Sequence, residues 1–127
     1  MSVEEFGRAV DLLARQVGHW EAPRWRATAG SGGILPNRGP VVAGSAVSVD
    51  RDAPPARRDL MHALVQRIAD RAADAEGEPR RPVPRLSNDL ALTDQLKVVA
   101  ADLVAAGPAP DLLGAAVADV QETRRAL

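Results

Sequence analysis

Four stretches of the chain repeat an aliphatic residue every third or fourth position, and each is bounded by glycine, proline or a capping polar residue. Such spacing lays one apolar stripe along an α-helix and does not suit a half-buried strand, whose period is two. In the first stretch the stripe is Val3, Phe6, Val10, Leu13 and Val17. Ser2 and Glu5 have the spacing of a capping box and Gly18 is placed to stop the chain, so a helix over 3–17 is expected. The second follows Pro54 and Pro55, which suit a first helical turn, and runs through Leu60, Met61, Leu64, Val65, Ile68, Ala72 and Ala75 to Gly77.

The third stripe is Leu92, Leu96, Val99, Leu103 and Ala106, preceded by the cap candidates Ser87 and Asn88 and closed by Gly107-Pro108. A fourth starts near Pro110-Asp111 and uses Leu113, Val117, Val120 and Leu127, with Arg124 and Arg125 near the negative end of the helix dipole. The short Gly107–Pro110 connection makes the last two helices an antiparallel hairpin. Alanine, the best helix former, contributes 24 residues, many of them inside these stretches, so propensity and pattern agree.

The expected fold is therefore all-α: a three- to four-helix bundle with a long irregular or β-hairpin insert between the first two long helices. A length of 127 residues suits one domain over 1–127. The insert, about 19–52, is expected to be non-helical. Within it Val41–Val49 is β-branched enough for a strand, and Pro36–Pro40 would turn Ile34-Leu35 back against it. A lone hairpin is marginal in water, so it would have to lie on the bundle or pair with another chain. The Pro- and Arg-rich linker, 78–86, has three prolines in Glu78–Arg85 and should be an extended, solvated spacer.

Composition removes several classes of function. There is no cysteine, hence no disulfide, thiolate metal site or thiol nucleophile. Sixteen basic and seventeen acidic residues leave a net charge of −1, which gives no global field toward nucleic acid or an anionic membrane. The acidic start Met1–Glu5 is unlike a signal peptide, and no apolar run reaches the ~18 residues of a membrane span, so a cytoplasmic location is expected. Lys97 is the only lysine among the sixteen basic residues, which reads as the codon bias of a high-GC bacterium and bears on ancestry rather than role.

Candidate sites are few. His19–Arg26 gathers both tryptophans, a histidine and three charges. Trp with Arg is the composition of binding hot spots, so His19, Trp20, Arg24 and Trp25 are candidate ligand- or partner-binding residues. The competing reading makes the rings plugs for the end of an Ala-rich bundle. His62 joins the candidates because Asp59, three residues earlier, shares its helix face; the plainer reading is a surface pair.

Ala29–Gly33 lacks the Gly-Lys-Ser/Thr of a phosphate loop, and Ser31, Ser45 and Ser48 lack a nucleophile-elbow setting. Arg80, Arg81 and Arg85 would grip phosphates or an acidic partner if free. The terminal hairpin has the outline of a helix-turn-helix but little basic equipment, so nucleic-acid binding is not expected.

No catalytic residue, metal site or cofactor emerges from the sequence. The expectation is a nonenzymatic protein that acts by association with itself, as a homodimer, or with another protein, and that does not engage membranes. The alternative is a small-molecule binder or enzyme with a pocket under the 19–52 loop, lined by Trp20, Trp25, His19 and His62.

Overall fold

A computed structural model of the chain describes residues 2–28 and 55–127, and over those residues the fold is mainly α with no strand. Helix α1 is Val3–Val17, α2 Ala22–Arg26, α3 Arg57–Glu76, α4 Leu92–Ala105 and α5 Pro110–Ala126; a 3-10 turn, Asp89–Ala91, leads into α4. The expected hairpin in 34–49, the glycine run 29–33 and the serines at 31, 45 and 48 lie outside the described residues.

The long helices stand where the apolar stripes place them, and their ends follow local chemistry. Ser2 caps α1 by accepting the Glu5 N–H at 3.2 Å. Gly77 ends α3 in the left-handed conformation (φ 72°), which lets the Glu78 N–H reach the Ala73 carbonyl at 2.9 Å and the Gly77 N–H the Asp74 carbonyl at 3.2 Å. Gly107 (φ 65°) turns the chain between α4 and α5 in the same way.

Helix α3 starts at Arg57, two residues beyond the expected prolines. The delay has a cause: Ala56 is held extended in an isolated antiparallel bridge with Thr28, and the Arg57 N–H donates to the Ala27 carbonyl at 2.9 Å. Thr28 and Ala56, on either side of residues 29–54, are therefore neighbours in the fold.

The insert is expected to be non-helical throughout, but Ala22–Arg26 forms α2. Pro23 sits in its first turn, where a missing N–H costs nothing, and the Trp25 ring beneath it is buried.

One core runs through the molecule. Phe6 and Leu13 of α1, Met61, Leu64 and Ile68 of α3, Leu96 and Leu103 of α4 and Val120 of α5 have no exposed surface. Helix α3 packs on α4 and α5, and α1 on α5 and α4. Polar ties reinforce the α3–α5 seam: Arg71 Nε donates to the Asp119 carboxylate at 2.6 Å and Arg67 to the Thr123 hydroxyl at 3.2 Å. No helix among the described residues is long and apolar enough to cross a membrane.

The Pro/Arg-rich linker is extended, but it is not a free spacer. The Gln66 side chain meets its backbone twice, donating to the Arg81 carbonyl at 3.0 Å and accepting the Val83 N–H at 2.7 Å. Gln95 donates to the Pro84 carbonyl at 3.0 Å. Each proline leaves a carbonyl but no N–H, so such a segment cannot complete a ladder, and side-chain amides on the facing helices are what hold it.

Candidate functional site

The tryptophan corner is built where α1 ends. Gly18 closes α1 at a point where a Cβ would lie 2.7 Å from the Ala14 carbonyl oxygen, so the chain turns closely under the last turn. The Trp20 N–H donates to the Val17 carbonyl at 3.0 Å, and α2 then brings Trp25 back beneath it. The two rings meet edge to face, with centroids 5.0 Å apart and planes at 66°. This is the arrangement that opposed ring quadrupoles favour.

Two guanidinium groups approach the Trp20 ring, Arg24 at 5.0 Å and Arg57 at 5.7 Å from its centroid. Arg57 is itself buried, and its Nε donates to the Leu127 carbonyl at 3.2 Å, tying the start of α3 to the end of α5. Trp20 and Trp25 are 6% and 1% exposed. The rings thus spend their surface on each other, on the arginines and on the core. The Trp25 Nε1–H is buried and has no acceptor among the described residues. Around His19, Trp20, Glu21, Pro23 and Arg24 the surface is a shallow depression of about 300 Å³, and His19 itself is exposed.

His62 does not join this corner through any polar contact; its Nε2 lies 3.2 Å from the Val83 carbonyl and faces the linker. Asp59, which shares its helix face, accepts from Arg85 at 2.6 Å. That hydrogen bond holds the Asp59 carboxyl below the ordinary carboxylate range, against the opposing effect of partial burial. Arg80 likewise makes a two-pronged pair with Asp74, at 3.0 and 2.7 Å, which lowers the Asp74 carboxyl and raises the guanidinium. Two of the three linker arginines are therefore engaged within the chain. Among the described residues no group of three or more His, Asp or Glu is placed to hold a metal ion.

A surface that the sequence did not single out lies between α1 and α4. It is a groove of about 430 Å³ with a floor of Phe6, Val10 and Ala100, walled by Gly7 and Asp11 on one side and by Lys97, Ala101 and Val104 on the other. Val3, one turn before Gly7 on the same face of α1, is 45% exposed. Val98, which shares an edge of α4 with Ala101 and Ala105, is 61% exposed.

Asp11 and Lys97 have no ion-pair partner among the described residues. Gly7 sits inside a helix, where glycine costs roughly 0.5–1 kcal/mol against alanine, and a Cβ there would meet nothing within 4 Å. Packing among the described residues gives no reason for a glycine at that position. This mid-helix glycine and the lone lysine were the sequence signals that could have drawn attention to the groove.

Set against known protein families, curated proteins and solved structures, the chain finds no match.

Proposed function

We propose that the chain is a nonenzymatic helical-bundle protein that acts by association, and that the α1–α4 groove is the surface through which it associates. The observation that carries this reading is a groove between two helices whose apolar surface comes from Ala101, Val104 and Ala105, flanked by the exposed Val3 and Val98 and bordered by Asp11 and Lys97, which have no ion-pair partner among the described residues. Apolar side chains gathered at a groove with a charged rim have the make-up of a recognition surface, whereas single exposed aliphatics such as Leu86 and Leu90 need no explanation. A helix laid in the groove would gain its apolar contact from Val3, Ala101, Val104 and Ala105 and its register from the rim charges.

Methyl NMR in concentrated cell extract and across a concentration series tests this. Val3, Val98 and Val104 methyls should shift or broaden before those of Leu86 and Leu90. Perturbation that begins instead at the Trp20 and Trp25 rings would count against the groove.

A second reading, small-molecule binding at the tryptophan corner, is favoured by one observation, the buried Trp25 N–H without an acceptor among the described residues. Its support would be a tryptophan fluorescence response to a metabolite panel that Arg24→Ala removes. The near-complete burial of both rings makes it the weaker of the two.

A further inference from the structure

We infer that the occupant of the α1–α4 groove is the α1–α4 face of a second copy of this chain, the two copies being related by a two-fold axis; the inference rests on the association reading and names its partner. The argument begins with charge. One wall of the groove carries a carboxylate, Asp11, and the facing wall carries an ammonium, Lys97. Neither is neutralised within the described residues. A two-fold rotation about the midline of the groove exchanges its walls. It lays α1 of one copy over α4 of the other and sets Asp11 opposite Lys97 of the second copy, twice. Only a self-complementary surface gains both pairs from one operation, and isologous contacts demand that property.

Side-chain size agrees. Gly7 on one wall and Ala101 on the other leave room for close backbone approach at the places where the exchanged helices would cross. Gly7 thereby acquires a reason that packing among the described residues does not provide.

Area sets the strength. A 15-residue helix is about 22 Å long and two helices side by side are about 20 Å wide, so the pair of faces would bury on the order of 900 Å². That is the weak end of specific interfaces, and it implies a dimer that forms at micromolar concentrations or above and dissociates on dilution.

The test is a charge exchange read by sedimentation equilibrium. The unmodified chain should gain mass toward the dimer as concentration rises. Asp11→Lys and Lys97→Asp, each alone, should weaken dimerisation roughly tenfold or more, because like charges then face each other. An equimolar mixture of the two variants should recover the dimer, since one copy then carries two lysines and the other two aspartates. Both positions are exposed, and unchanged helicity by circular dichroism would show that the variants are folded.

Single variants that dimerise like the parent, or a mixture that stays monomeric while the parent dimerises, would overturn this pairing. A parent chain that is monomeric at every concentration would overturn self-association altogether. If its groove methyls still shifted in extract, the association reading would survive and only the identity of the partner would fall.

Discussion

The tryptophan corner and the α1–α4 groove carry the same kinds of group, apolar surface edged by charge, but the fold uses them in opposite ways. At the corner, Trp20 and Trp25 are closed against each other, and Arg57 is bonded to the far end of α5. In the groove, smaller side chains lie open, and Asp11 and Lys97 are unpaired among the described residues. The lesson is that hot-spot composition and hot-spot exposure are separate properties. Large rings are the side chains most able to close the end of an alanine-rich fold, so they are drawn inside, while a face made of glycine, alanine and valine has no cover among the described residues.

The strongest way to break this contrast is Trp25→Ala. Loss of a fully buried indole should destabilise the fold by about 3–5 kcal/mol in urea denaturation. A variant that kept its stability and lost only association would make the corner a binding surface. Arg57→Met should cost about 1–3 kcal/mol, because it removes a charged hydrogen bond and a ring contact together. His62→Ala should cost about 0.5–1.5 kcal/mol, the worth of one side-chain hydrogen bond to the linker, and leave tryptophan emission unchanged. A shifted emission maximum would instead join His62 to the corner.

On the groove side the sign reverses. Gly7→Ala should raise the stability of the monomer by roughly 0.5–1 kcal/mol in thermal unfolding, since the added methyl meets open space and improves helix propensity. A destabilised monomer would mean that Gly7 serves the chain's own packing.

The smallest effect is expected from acid. Asp59 and Asp74 are held below the ordinary carboxylate range by Arg85 and Arg80, so each stabilises the folded state above the unfolded value near ~4. That contribution is lost as pH falls through the lower folded values. Because both pairs are exposed, the loss should appear as lower hydrogen-exchange protection over 78–86, referred to the intrinsic rate at each pH, rather than as global unfolding, and high salt should mimic it.

How much of this was legible in the sequence depended on the kind of signal. The four apolar stripes fixed the long helices within a residue or two, because periodicity and caps are local properties that tertiary contacts here reinforce. Helix α2 was missed because five residues are too short to show a period, and its one mark, Pro23 in a first turn, also reads as a loop. The linker was read as free because proline dictates an extended path but says nothing of what lies beside it. Gln66 and His62, on the opposing helix, supply that.

The candidate site was half legible. His19, Trp20, Arg24 and Trp25 do come together at one corner, where the rings are buried, in line with their reading as plugs, and His19 and Arg24 stay exposed, whereas His62 faces the linker. The groove was invisible because it depends on two helices 80 and more residues apart lying side by side.

Hydroxyl-radical footprinting at low and high protein concentration examines both halves of the contrast in one measurement. The account predicts that Trp20 and Trp25, for all the reactivity of indole, remain little oxidised at either concentration, while Val3 and Val98 react in dilute solution and become protected as the protein is concentrated. Heavy oxidation of the tryptophans when dilute, with their protection on concentration and no change at Val3 and Val98, would contradict it.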